Sequence, residues 1–231
     1  MTDAAMVAHG LVEDSPIQAT AELEACLNRV EYYQPLYGIV GFEPPLRNCR
    51  DRAAAIEEAL KPLGKNFRLI DFGSSLGYFP FYFADRGAAC TGVDIKPENT
   101  AVALTVQRLN GLPATFRTGS LDLQSVRTIP ANQYDVGLIL SVLHHITHRR
   151  GKDYVALLLR ELLARIPTLV LELAHRDEDV TFEWREALDE NRLGILTGCD
   201  ADARLIAQFP THLSKVMRPI YLVTRRTGHP E

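Results

Sequence analysis

The sequence predicts a three-layer α/β sandwich, with a mostly parallel sheet between helices and an antiparallel hairpin at its carboxyl end. Two observations carry the prediction. From Phe67 onward, short β-rich runs alternate with helical stretches, the rhythm of parallel strands joined by crossover helices. Gly87 and Gly111 stand just past two of those helices, where a left-handed residue ends a helix at little cost. A chain of 231 residues, 46% hydrophobic and 23% charged, can bury one sizeable core.

Residues 1–14 show little periodicity and read as a loose tail. Ser15-Pro16-Ile17-Gln18 has the order of a helix start, with serine as cap, proline at the first position and glutamine closing a capping box, so a short helix is expected to about Val30. Glu31 to Pro45 gathers Tyr32, Tyr33, Tyr37 and Phe42 among prolines and glycines and reads as an aromatic loop. Residues 1–46 thus form an amino-terminal tail, helix and aromatic lid ahead of a main unit from 47 to 231. Helical spacing returns from Arg47 to Leu60. The expected strands are Phe67–Phe72, Ala89–Val93, Ala114–Arg117, Tyr134–Leu140 and Thr168–Leu173, with helices near Leu76–Asp85, Pro97–Asn110 and Lys152–Arg165. Further helix is expected after Ala174, followed by two strand-like runs, "THLSKV" and "RPIYLVTRR", turning at Met217 to Pro219.

Composition narrows the function classes. No basic start joins an apolar stretch near the amino terminus and no apolar run would span a bilayer, so a soluble, cytoplasmic protein without a transmembrane segment is expected. Cys26, Cys49, Cys90 and Cys199 lack the close pairing of zinc or redox motifs, so reduced thiols and no metal are expected. A net charge of -4 argues against a nucleic-acid partner, and the basic cluster His148, Arg149, Arg150 reads as a solvated helix start.

The chemistry centres on "IDFGSSLGYF". Open α/β sheets bind ligands beyond the carboxyl ends of their strands, and Gly73 and Gly77 let backbone approach a ligand there. The spacing is not the G-x-G-x-x-G of dinucleotide sites. Asp71, ahead of the first glycine, suits an ammonium group and would repel a pyrophosphate. Asp94 in "TGVDI" is placed to accept from ribose hydroxyls, and Asp122 in "TGSLDL" from an exocyclic amine. An adenosine with a cationic amino-acid tail fits these acids. Tyr33, Gln34 and Tyr37 can close over it, with Arg47 or Arg52 pairing a carboxylate, or they can simply pack an amino-terminal cap against the sheet.

These residues resemble the class I S-adenosylmethionine-dependent methyltransferases, a Rossmann-like fold, over roughly Arg47 to Arg225. "LIDFGSSLGYF" looks like the family's glycine-rich first motif, Asp94 like its ribose-binding acid, "GSLDL" like its adenine-contacting segment, and "YDVGLILSVLHHI" like its fourth strand and following loop. Ser75 stands where the family usually has a middle glycine. The resemblance implies S-adenosylmethionine as cofactor, with Ile95, Leu121 and Ser141 also lining its site. More narrowly, "YYQPLYG", "LRNCRDR", "LELAHRDEDVTFEW" and "FPTHLSKVMRPIY" look like the methyltransferase half of bacterial O-antigen chain-terminating methyltransferase/kinase proteins. No kinase-like stretch precedes Glu231, so a freestanding relative or an excised domain is expected.

The implied reaction is O-methylation of a saccharide hydroxyl or saccharide phosphate of a bacterial surface polymer, with a glycan or small-molecule acceptor and possible association with a glycan-assembly complex. The alternatives are methylation of an unrelated small metabolite on oxygen or nitrogen, RNA methylation, and a non-catalytic cofactor-binding partner. A hydroxyl acceptor needs a base, for which His145 is the candidate, with His144, Tyr37 and Arg176 toward the acceptor. A phosphate needs none, its second pKa being about 6. His175 and His212 could reach the pocket from later elements, or be structural. Trp184 with Phe182 could stack on a sugar, although core packing is the safer reading.

Overall fold

The strand that ends in Asp71 and Phe72 is an inner strand, third from one edge, of a seven-stranded sheet in the computed structural model, which describes residues 12, 15–42, 46–179, 181–211 and 214–226. In chain order the elements are β1 (Ile17–Gln18), α1 (Ala21–Leu27), β2 (Ile39–Val40), α2 (Arg50–Leu60), β3 (Arg68–Phe72), α3 (Tyr78–Ala84), β4 (Ala89–Asp94), α4 (Pro97–Asn110) and β5 (Thr115–Thr118). There follow α5 (Leu123–Arg127), β6 (Val136–Leu140), α6 (Leu143–Arg150), α7 (Lys152–Arg165), β7 (Thr168–Glu172), β8 (Ala201–Phe209) and β9 (Arg218–Arg225).

The sheet order is β5-β4-β3-β6-β7-β9-β8. The first five strands are parallel, and β9 and β8 are antiparallel to their neighbours. Order reverses between β3 and β6, which opens a crevice beyond their carboxyl ends. Alternation along the strands divides the core in two. Leu69, Leu138 and Val170 face a cluster built with α3 and α4, whereas Ile70, Ile139 and Leu171 face one built with α7. Helices therefore cover both faces, as the three-layer expectation requires. Leu23, Leu36 and Tyr37 of the amino-terminal segment are buried in the first cluster.

Several element assignments are corrected. The helix expected from Ser15 starts at Ala21, where the Thr20 hydroxyl accepts from the Leu23 N–H. Ile17 and Gln18 instead pair with Ile39 and Val40, so a non-local ladder wins over the local capping pattern. The helix read from Arg47 begins at Arg50. The first hairpin strand is Ala201–Phe209 and not "THLSKV". As an edge strand of mixed residues, all exposed or half-exposed, it carries little periodic signal. Thr211 and Ser214 form a turn instead, the Ser214 N–H donating to Thr211 Oγ1 at 3.0 Å, and His212 lies outside the described residues. The helix expected after Ala174 is two 3-10 turns, Glu183–Ala187 and Arg192–Leu196. No helix among the described residues is long and apolar enough to cross a membrane.

Gly77 starts α3 in the left-handed region at φ +88°, and a Cβ there would meet Phe116 at 2.8 Å and Phe81 at 2.9 Å. Gly77→Ala is therefore expected to destabilise the protein by about 1–3 kcal/mol, read from urea unfolding, because strain and overpacking act together.

Candidate functional site

The turn after β3 is tied to the end of β4. The N–H groups of Gly73 and Ser74 donate to the Val93 carbonyl at 2.7 and 3.1 Å, and the Ser75 N–H donates to Asp94 Oδ2 at 2.8 Å. Asp94 Oδ1 accepts from the Lys96 N–H at 2.9 Å and from Asn99 Nδ2 at 3.1 Å. Ser75, standing where a glycine was expected, sits at φ +49°. A Cβ on Gly73 would lie 2.5 Å from Val142 Cγ2. The protein's own packing thus calls for glycine at 73, as at 77, in addition to the close ligand approach that the sequence suggested.

Four buried side-chain atoms among the described residues lack a hydrogen-bond partner, among them Asp71 Oδ2 just ahead of this turn, and Gln34 Oε1 and Arg47 Nε, whose residues adjoin Tyr33 in the chain and in space respectively. Their residues are 2%, 5% and 6% exposed. Burial, then the neighbouring Asp94, pushes the Asp71 carboxyl up to about 8. Tyr33 links these groups. Its side chain hydrogen-bonds Ser75, its phenol pKa is raised by burial, and its carbonyl accepts from the Arg47 N–H at 2.9 Å. Tyr33, Arg47, Asp71, Ser75 and Asp94 therefore converge at one end of the crevice, with Gln34 next to Tyr33 in the chain. Ile95, 61% exposed, offers an apolar surface just past β4.

Other expected residues have different tasks. Asp122 is the N-cap of α5, accepting from the Ser125 N–H at 2.8 Å and from the Ser120 hydroxyl, and these bonds hold its carboxyl below the usual range. Leu121, half-buried beside it, packs on the second core. Tyr37, expected toward the acceptor, is 1% exposed and donates to Asp85 Oδ2 at 2.6 Å, so it is part of the core. Arg176 pairs with Glu190 at 3.5 Å on the surface. His175 shapes its own turn, its Nδ1 accepting from the Asp177 N–H at 3.1 Å.

Arg52, expected beside a ligand carboxylate, belongs instead to a buried network that sequence reasoning missed. Glu172, 1% exposed at the end of β7, takes Arg52 Nε at 2.9 Å and also Arg47 and the Ser141 hydroxyl. Arg52 also donates to the carbonyls of Asn48 and Pro210, which leaves it committed. Ser141 Oγ accepts from Arg218 at 3.0 Å, and Arg218 forks onto Glu178 at 2.7 and 2.5 Å. Burial would raise the Glu172 carboxyl, but Arg47, Arg52 and Ser141 outweigh it and hold the group below its ordinary value. The available signal was a lone glutamate inside the apolar run "TLVLEL", since a carboxylate on a buried strand needs partners.

His144 and His145 lie on the first turn of α6, which the sequence reading made a loop. His144 is 5% exposed, with its ring 4.5 Å from that of Trp184. Burial, His145 and Arg218 hold it well below the ordinary histidine pKa. His145 is exposed, and desolvation followed by Arg149, Arg218, His148 and Lys96 lowers its pKa as well. It is therefore a neutral imidazole at pH 7 with a lone pair to offer, set among positive charges. Lys96 follows β4, so His145 overhangs the same crevice edge. Trp184 is buried as the safer reading had it, and Phe182 stacks on it at 5.1 Å.

Glu172→Gln would leave two buried guanidiniums short of their countercharge, and a loss of about 3–5 kcal/mol at pH 7 is expected from denaturant unfolding. The Glu172 pKa is lower folded than unfolded, so its contribution is complete above the ordinary value of 4.5 and is lost as pH falls through the folded value. The stability gap between wild type and variant should accordingly narrow in acid.

Comparisons with known proteins agree with this geometry. Residues 70–163 match the methyltransferase domain family. The chain is 32% identical over 200 residues to the O-antigen chain terminator bifunctional methyltransferase/kinase WbdD of Escherichia coli, a match covering 84% of this chain and 28% of that protein. A crystal structure of WbdD superposes with a TM-score of 0.80 at 31% identity, covering 87% of this chain and 46% of the other. The chain thus spans about a quarter of its curated relatives and less than half of the solved ones. Magnesium protoporphyrin IX methyltransferase of Synechocystis PCC 6803, solved with bound SAH, shares the fold at a TM-score of 0.59 and 18% identity. The chain carries a methyltransferase domain with the class I fold and is similar to the methyltransferase domain of the O-antigen chain-terminating methyltransferase/kinase proteins.

Proposed function

We propose that the chain uses S-adenosylmethionine to methylate an oxygen on a saccharide of a bacterial surface polysaccharide, with a saccharide phosphate as the favoured acceptor. The observation that carries the cofactor reading is the set of three buried, unpartnered atoms on Asp71, ahead of the glycine turn, and on Gln34 and Arg47, the neighbours of Tyr33. Two acceptors and one donor are complementary to an amino-acid zwitterion: Asp71 Oδ2 and Gln34 Oε1 would accept from its ammonium, and Arg47 Nε would donate to its carboxylate. Ile95 gives a nucleobase an apolar face. When bound, S-adenosylmethionine supplies an activated sulfonium methyl.

The protein's share is alignment and exclusion of water, and positioning alone can account for about 7–11 kcal/mol of barrier. Trp184 packs on His144 of α6 with Phe182 stacked on it, and the pair would screen an acceptor beside α6 from solvent. The charges around His145 support an anionic acceptor, because Lys96, Arg149 and Arg218 outnumber any acid recorded against that imidazole. For a hydroxyl acceptor His145 would take the proton. For a phosphate dianion it would only position the oxygen. The WbdD proteins are described as O-antigen chain terminators, which supports a glycan over an unrelated metabolite.

Two measurements test this. Asp71 stays protonated to about pH 8 when unliganded, and an adjacent ammonium would ionise it, so binding releases a proton. Calorimetric affinity for S-adenosylmethionine should therefore climb between about pH 5.5 and 7.5, by at most about tenfold per unit. In Asp71→Asn it should be flat; a wild type that is equally flat removes Asp71 from the site. Methyl transfer to phosphorylated and unphosphorylated oligosaccharides, followed by mass spectrometry, names the acceptor. His145→Ala should cost about 10²–10⁴ in turnover on a hydroxyl and far less on a phosphate. If no saccharide gains a methyl group, the glycan reading is withdrawn.

A further inference from the structure

Arg218 opens β9 and is 4% exposed, yet its one guanidinium reaches three separate elements. Nε and one terminal nitrogen fork onto Glu178 at 2.7 and 2.5 Å, in the loop after β7. The other terminal nitrogen donates to Ser141 Oγ at 3.0 Å, in the turn between β6 and α6. Its central carbon lies 5.6 Å from the Trp184 ring centre, and Trp184 in turn rests on His144.

We propose that Arg218 is a positioning residue for the acceptor half of the site, fixing together the turn that presents His145 and the aromatic roof over His144. The role rests on the reading that His145 faces the acceptor. Ser141 has the left-handed conformation, φ +60°, two residues before α6 begins. Its single O–H is given to Glu172, so only a donor can engage the remaining face of that oxygen, and Arg218 supplies it. Glu178 fixes the plane of the fork and also accepts from the His175 N–H at 2.9 Å, which ties the loop after β7 to the same point. A lysine would keep the charge but could not hold a bidentate carboxylate and the serine in one plane.

The ordinary alternative is that Arg218 matters only as a positive charge or as a countercharge for Glu178. Arg218→Lys separates the two, because it preserves charge and loses the fork. The readouts need no ligand: the NMR titration of His145, and acrylamide quenching of the single tryptophan. The charged or titratable groups around His145 are His144, His148 and Arg149 on its own helix, Lys96 after β4, and Arg218 itself. With the turn and roof released, His145 becomes better hydrated and its midpoint should rise by roughly 0.5 unit. Trp184 quenching should increase. An unchanged midpoint and unchanged quenching in folded Arg218→Lys overturn the proposal.

Should Arg218→Lys fail to fold by circular dichroism, Ser141→Gly serves instead. It keeps every charge, tolerates φ +60°, and removes the hydroxyl that joins both Arg218 and Glu172 to the turn, so the same rise in the His145 midpoint is expected and its absence is equally decisive. S-adenosylhomocysteine binding, measured in parallel, keeps the two readings apart. If the wild type does not bind it, the cofactor assignment fails, while the ligand-free titrations still decide the role of Arg218.

Discussion

The placement of Glu172 constrains much of this molecule. A carboxylate at the carboxyl end of an inner strand, almost sealed from solvent, can remain ionised only with countercharges brought to it. Arg47 and Arg52 come from the segment before β3, and Ser141 comes from the turn after β6. Satisfying one charge therefore fixes the amino-terminal cap, the start of α2 and the entry to α6 relative to the sheet. Through Ser141 and Arg218 the same network extends to Glu178 and the loop beyond β7. A hydrophobic residue at 172 could have stabilised the strand as well, but it would not have specified where these polar segments dock.

The contrast with Asp71 shows how one sheet edge gives two carboxylates different states. Both lie near the carboxyl ends of inner parallel strands and both are almost wholly buried. Glu172 is surrounded by guanidiniums and a hydroxyl and stays charged. Asp71 has another acid nearby and one oxygen with no partner, so burial drives it toward the neutral form. A fully satisfied network holds a scaffold together, and an unsatisfied one is poised for a ligand. The edge is therefore divided: structural charge lies under β7 and β9, and unsatisfied polar groups lie by β3.

How much of this could be read from the sequence depended on whether the signal was local. The parallel strands were legible because short apolar runs alternate with helices, and the glycine turn because Gly73 and Gly77 are needed within a few residues of a strand end. The edge strand Ala201–Phe209 was not, since its half-exposed, mixed residues follow no period. The capping pattern at Ser15 misled because two residues pair with Ile39 and Val40 across the cap, which no local rule detects. At the candidate site, Asp71, Asp94 and Arg47 were singled out from their positions at strand ends and in quoted motifs, and the structure brings them to one end of the crevice with Tyr33 and Ser75. Arg52, Tyr37 and Asp122 were correctly seen as special, but the tertiary structure gives each a structural partner: Glu172, Asp85 and Ser125. Arg218 and Glu178 went unseen because a pair separated by 40 residues leaves no trace in sequence spacing.

The two adjacent histidines show why residue type alone could not assign roles. His144 and His145 share one helical turn, so their side chains leave the axis about 100° apart. One points into the core against Trp184, and the other stands exposed near Lys96. Burial deprives His144 of its charge and of access to an acceptor, whatever its intrinsic basicity. His145 is kept neutral mainly by desolvation and a set of fixed cations, and those cations also attract an anion to the atom that would need it. A base surrounded by positive charge is a poor proton trap, because its conjugate acid is destabilised by the same neighbours. Such an imidazole is better suited to orienting an oxygen that is already anionic than to creating one, which is the property the proposed phosphate acceptor would use.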